Sequence, residues 1–151
     1  MTISSENISK ASKRRILFDV NVVLDVITRR EPFFRSSAAA WELAETGEIE
    51  GMLAAHSLTT LHYLISHQTT REESILAVRK LLHVFQVAAV NQDVIMTALG
   101  FGWADFEDAV QMAAAEWAGC DYLVTRNAGD FEPSTVSVIS PADLPAIIGT
   151  N

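Results

Sequence analysis

The sequence predicts an α/β domain in which a central parallel sheet of about five strands is covered by helices on both faces. Three observations lead there. Short apolar runs alternate with longer segments whose Leu, Ile, Val and Ala recur at intervals of three and four. The runs are nearly unbroken by polar residues, as strands buried on both faces require, and such strands are joined by right-handed helical crossovers. With 151 residues and 49% hydrophobic content, the chain has material for one core and no need of a second.

Residues 1–13 are polar, Ser-rich and aperiodic, which predicts a disordered leader ahead of a single domain over residues 14–151. The first strand is Ile16, Leu17 and Phe18; Asn21 then caps a helix over residues 22–30, which Glu31 and Pro32 end. A helix over residues 36–46 stops at Gly47, a left-handed cap. The second strand spans residues 51–55. Two helices follow over residues 57–67 and 71–84, the latter opened by a Thr70 and Glu73 capping box. Residues 85–90 form a third strand and residues 92–99 a helix, broken by Gly100, Phe101 and Gly102. A helix over residues 105–118, strands over 122–125 and 136–139, and a short helix over 141–148 with Pro141 in its first turn complete the domain.

The net charge of -8 argues against a protein that coats nucleic acid by bulk electrostatics. The basic residues lie mostly early in the chain: Lys10, Lys13, Arg14, Arg15, Arg29, Arg30 and Arg35 supply either a local phosphate-facing patch or a solvated surface. No run reaches the roughly 20 apolar residues that a membrane span needs, so the expected location is cytoplasmic and no membrane partner is expected. Cys120 stands alone and reads as a small buried side chain.

In open parallel sheets ligands gather beyond the carboxyl ends of the strands, and the acids of this chain concentrate there. Asp19 ends the first strand. Asp105 and Asp108 open a helix whose apolar stripe is Phe106, Ala109, Val110, Ala113 and Trp117. At about 100° per residue, they share one flank of that stripe and Glu107 falls on the other. Asp105 serves equally as a helix N-cap. Asp130 and Asn127 follow the fourth strand on a turn. Asp25, inside the first helix, is expected on a polar face or at the core edge. Carboxylates gathered this closely repel one another unless a hard cation neutralises them, which makes Asp19, Asp105, Asp108 and Asp130 candidate ligands of Mg²⁺ or Mn²⁺ and points to metal-assisted phosphodiester chemistry. Asn21 is a further oxygen donor near Asp19.

His56, His62, His67 and His83 lack metal-ligand spacing and are expected as packing or surface residues, with His62 the one placed to face the acidic edge beside Thr59 and Thr60. Trp41, Trp103 and Trp117 are expected in the core. An aspartyl-nucleophile phosphatase also opens on a strand followed by Asp, but Asn21 breaks its Asp-x-Asp motif and no Lys follows Lys80.

Taken together, the run from Leu17 through Asp19, Asn21 and Asp25, the Arg30-Glu-Pro-Phe segment, Asp105-Phe-Glu-Asp-Ala, and Leu123-Val-Thr-Arg-Asn-Ala-Gly-Asp-Phe resemble the PIN-domain family over residues 15 to 140. The resemblance is nearest to the bacterial branch that includes VapC-like toxins. It implies a three-layer PIN-like fold and a Mg²⁺- or Mn²⁺-dependent endoribonuclease acting on RNA, the toxin of a type II toxin-antitoxin pair. It also implies a small antitoxin partner whose Arg or Lys occupies the metal's place, and a homodimer. By position, Asp19 matches the first metal-binding Asp, Asp108 the helix-borne Asp, and either Asp130 or Asn127 the acidic position of the last loop. Two departures stand out: Thr60 lies where many members carry Glu, and Asn127 where many carry Asp. They leave room for a PIN-like module that binds RNA or protein without cutting.

Overall fold

The computed structural model describes residues 13–149, so the leader expected over residues 1–13 lies outside the described residues except for Lys13. One five-stranded sheet, all parallel, runs in the order β3-β2-β1-β4-β5. Its strands are β1 (Arg15–Phe18), β2 (Glu50–Ala54), β3 (Gln86–Ala88), β4 (Tyr122–Val124) and β5 (Ser137–Ile139). The helices among the described residues are α1 (Val20–Ile27), α2 (Phe34–Glu45), α3 (Ala55–Ser66), α4 (Arg71–Val84), α5 (Gln92–Phe101), α6 (Phe106–Trp117) and α7 (Leu144–Gly149). A 3-10 turn, Ala128–Asp130, follows β4.

The layers follow from the alternation of side chains along a strand. Ile16 and Phe18 of β1 enter one core cluster, with Val22, Ala40, Leu61 and Leu81 from α1 to α4, while Leu17 enters the other, with Val94, Ala98 and Met112 from α5 and α6. Ile16, Leu17 and Phe18 are wholly buried, as their place at the middle of the sheet requires.

Several boundaries differ from expectation for physical reasons. α1 starts at Val20, because Asp19 takes the N-cap position and its carbonyl accepts from Val22 N at 3.1 Å; Asn21 is not the cap. β3 is cut to three residues since it is an edge strand paired on one side only, and Phe85 before it sends its ring against Phe18 and Trp41. α5 runs through Gly100 and ends at Gly102, which is left-handed at φ 68°. Pro141 precedes α7 in a turn rather than sitting in the helix. Gly47, at φ 82°, closes α2 as expected, and Thr70 Oγ1 accepts from Glu73 N at 3.2 Å at the start of α4.

The stripe on α6 is the larger correction. Seven consecutive residues, Ala109 to Ala115, are buried, while Phe106 and Trp117 are 47% and 59% exposed. α6 is wedged between α5 and strands β2 and β4, and its run of alanines lets it be enclosed on more than one side. Trp117, at the free end, donates from Nε1 to Thr97 Oγ1 at 2.9 Å instead of entering the core. Trp41 and Trp103 pack against the two clusters as expected. Cys120 is buried with its thiol pushed up to about 12 by burial, in keeping with an inert packing residue. No helix among the described residues is long and apolar enough to cross a membrane.

Gly51 is where the first core closes most tightly. A Cβ on it would lie 2.8 Å from both Ala44 Cβ and Phe85 Cδ1. Gly51→Ala is expected to cost about 1–3 kcal/mol through overpacking, read as a lower midpoint in urea denaturation with unchanged slope.

Candidate metal centre

Strand order reverses about β1, which has β2 on one side and β4 on the other, so the crevice at the carboxyl ends of β1 and β4 is the position such sheets use for ligands. Asp19 occupies it. Its backbone N donates to Val124 O at 2.9 Å, which ties it to the end of β4, and the residue is only 9% exposed. Gln111 Nε2 donates to Asp19 Oδ1 at 2.8 Å, and Thr125 Oγ1 donates to Asp19 Oδ2, also at 2.8 Å. Asn21 Nδ2 lies 3.4 Å from Asp19 Oδ2 and 3.3 Å from Thr125 Oγ1, and Asn21 Oδ1 accepts from Arg126 N at 3.4 Å. Asn127 N donates to Thr125 Oγ1 at 3.2 Å. The carboxylate is thus oriented by neutral donors from three elements. Gln111 and Thr125 escaped the sequence reading; their signals were spacing, Gln111 one turn after Asp108 and Thr125 directly before the Asn127 loop.

Asp108, in the first turn of α6, lies within the electrostatic reach of this carboxylate. Its carboxyl is raised to about 6, first by burial and then by the charges of Asp105, Asp19, Glu107 and Asp130, each acting in the same direction. Asp19, Asp105, Asp108 and Asp130, nominated from separate stretches of sequence, therefore share one field. Asp105 is the N-cap of α6, its Oδ1 accepting from Asp108 N at 3.1 Å, which commits one of its oxygens. Asp130 ends the 3-10 turn, exposed to solvent.

Glu107 and the histidines depart from expectation. Glu107 is the largest charge acting on His56, followed by Asp19, so Glu107 is not excluded from this edge and His56 is an imidazole within its reach. Both His56 ring nitrogens are buried without a hydrogen-bond partner, and burial holds the ring below its ordinary value, neutral at pH 7. Thr60, one turn later on α3, turns Oγ1 back to His56 O at 3.4 Å.

Asp25 is fully buried, not at a polar face. Ser37 Oγ donates to its Oδ2 at 2.9 Å, and Arg126 Nε lies 2.8 Å from the same oxygen, an ion contact without hydrogen-bond alignment. The Arg126 guanidinium also stacks 4.0 Å over the Phe33 ring. Of the early basic residues, Arg15 begins β1, at the opposite end of the strand from Asp19, and pairs with Glu50 at 3.1 Å.

Among the described residues, no three His, Cys, Asp or Glu side chains already stand close enough together to chelate a metal. Mg²⁺ asks for less, since one or two carboxylates suffice when waters and substrate phosphate fill the octahedron. The donor set fits: all-oxygen, with Asp19 rigidly held and Asp108 destabilised as an anion by its neighbours.

A three-layer α/β fold with an acidic crevice at its switch point is the class that sheet and site define. A family model described as PIN domain matches residues 15–129, and the chain belongs to the PIN-domain family. No curated protein sequence matches it. Among solved structures, it resembles a toxin-antitoxin complex from Klebsiella pneumoniae at 19% identity and TM-score 0.64, covering 83% of this chain and 97% of that one. It also resembles VapC20 of Mycobacterium tuberculosis, a Sarcin-Ricin loop cleaving toxin, at 16% identity and TM-score 0.58 over 72% of this chain and 86% of that one. A third is VapBC2 from Rickettsia felis bound to a promoter DNA fragment, at 12% identity and TM-score 0.62 over 83% and 98% of the two chains.

Because the folded value of Asp108 is about 6 against 3.8 for the free group, its neutral form is favoured by folding: that contribution is full below pH 3.8 and lost as pH rises through 6. Asp108→Asn is therefore expected to stabilise the metal-free protein at pH 8 by about 1 kcal/mol, a figure trimmed for solvent screening, with the gain fading below pH 4 in paired denaturation curves.

Proposed function

We propose that this protein is a Mg²⁺- or Mn²⁺-dependent endoribonuclease of the cytoplasm, the toxin of a toxin-antitoxin pair. The observation that carries it is the crowding of carboxylates at the end of β1, where Asp108 is raised to about 6, first by burial and then by the charges of Asp105, Asp19, Glu107 and Asp130. Family membership and the likeness to toxin structures support the same reading. When bound, the cation polarises a phosphoryl oxygen and supplies a water of lowered pKa. Asp19 presents a carboxylate whose orientation Gln111 and Thr125 have already fixed. Asp108 must shed its proton to bind the ion, which makes metal loading harder below pH 6. Asp105, with one oxygen free of its capping bond, and Asp130 complete the acidic wall, and Asn127 and Asn21 offer neutral oxygens. The expected partners are RNA, a small antitoxin whose cationic side chain enters the acidic crevice, and a second copy of the chain.

A second reading, a module that binds RNA or protein without cutting, is favoured by one observation: Thr60 spends its hydroxyl on its own helix and brings no charge to the acids. Incubation of pure protein with labelled RNA and MnCl2 separates the two. The nuclease reading expects cleavage that rises as pH increases through about 6, with Asp19→Asn and Asp108→Asn each losing at least about 100-fold, since even outer residues around a metal cost 10–100-fold. Intact RNA with the unmodified protein, or equal cleavage by all three, sinks it.

A further inference from the structure

Buried polar atoms almost always find partners, so a group of orphans in one place asks for an explanation. Among the described residues they include Oε1 of Gln111, whose Nε2 binds Asp19, and Nδ1 and Nε2 of His56 with Ser57 Oγ beside it in the chain. They come together by construction. β2 pairs with β1 so that Leu17 meets Met52, which places Ala54 level with Asp19 and His56 two residues further along the same edge. From the opposite layer, Glu107 and Gln111 stand one helical turn apart on α6 and so share a face. The charges of Glu107 and Asp19 act on His56, and Gln111 donates to Asp19, so imidazole and amide both lie in the neighbourhood of the same carboxylate. The amide's orientation is fixed: a carboxylate only accepts, so Nε2 must face Asp19 and Oε1 must face away.

We propose that His56 is a positioning residue of the metal centre, its ring N–H joined through one bridging water to Gln111 Oε1, so that the amide whose other end grips Asp19 is held at both ends. The ring nitrogens and Oε1 are buried without a hydrogen-bond partner among the described residues, and a buried water with polar neighbours is an ordinary way to satisfy such a pair. A neutral imidazole offers one donor and one acceptor, as that role needs. It acts on the cation only through Gln111 and Asp19. This proposal rests on the nuclease reading.

Calorimetric titration with MnCl2, on the full chain, tests it without reference to activity. Unmodified protein, Asp108→Asn, His56→Ala and His56→Gln are compared, with a thermal melt of each. His56→Ala is expected to weaken Mn²⁺ binding about 10–100-fold, and His56→Gln, which keeps a donor and an acceptor, to recover to within about threefold of the unmodified protein. If Asp108→Asn loses the ion while His56→Ala binds like the unmodified protein, the role of His56 is overturned and the nuclease reading stands. If the unmodified protein takes up no Mn²⁺, or Asp108→Asn binds equally well, both fall. Should His56→Ala fail to fold, the ¹⁵N resonances of the His56 ring in the unmodified protein decide: a shift on adding MgCl2 is expected, and unmoved signals overturn the proposal.

Discussion

A carboxylate buried at the end of the central strand, gripped by neutral donors and given no counter-charge, is the constraint around which this protein is arranged. Asp19 is nine-tenths buried, and its two oxygens accept from Gln111 on α6 and Thr125 at the end of β4. Burying an ionised group is tolerable only with compensation, and dipoles supply part of it here. Nearby, the charges of Asp105, Asp19, Glu107 and Asp130 add to burial in raising Asp108, so like charges are crowded at this edge. That crowding is what supports the proposed cation. The parallel sheet makes it possible by bringing the end of β1, the start of α6 and the loop after β4 to one edge.

The contrast with Asp25 shows that the missing counter-charge is a matter of placement. Asp25 lies six residues from Asp19 and is more deeply buried, yet its Oδ2 has a counter-charge in Arg126 and a donor in Ser37. Arg126 follows Thr125 directly and its backbone N reaches Asn21, but its guanidinium is drawn away from Asp19, to Asp25 and the Phe33 ring. One ion pair thus does two things: it braces α1 against the loop after β4, and it keeps a fixed cation out of the acidic crevice.

Much of this was legible in the sequence. The strands were readable because β1, β2 and β4 are short apolar runs that nothing else fits, and the acids because three of their segments stand at strand ends or helix starts. What escaped depended on neighbours distant in sequence. The wheel for α6 assumed one buried face, whereas α5 and the sheet together enclose it, so Phe106 and Trp117 were misassigned and Glu107 was placed too far from the site. His56 looked like any packing histidine because its significance lies in Asp19 and α6, not in its own helix. Asn21 was read as a cap from local preference alone, but its side chain is taken by Thr125 and Asp19 across the crevice.

The central claim is that Asp19 and Asp108 converge on a position made for a divalent ion. Anomalous diffraction from crystals grown with MnCl2 tests it most directly. The account predicts a single strong peak, or a close pair, within coordination distance of both carboxylates, with Gln111 and Thr125 still holding Asp19. Ordered density for both side chains with no peak between them, or manganese bound only elsewhere, contradicts it.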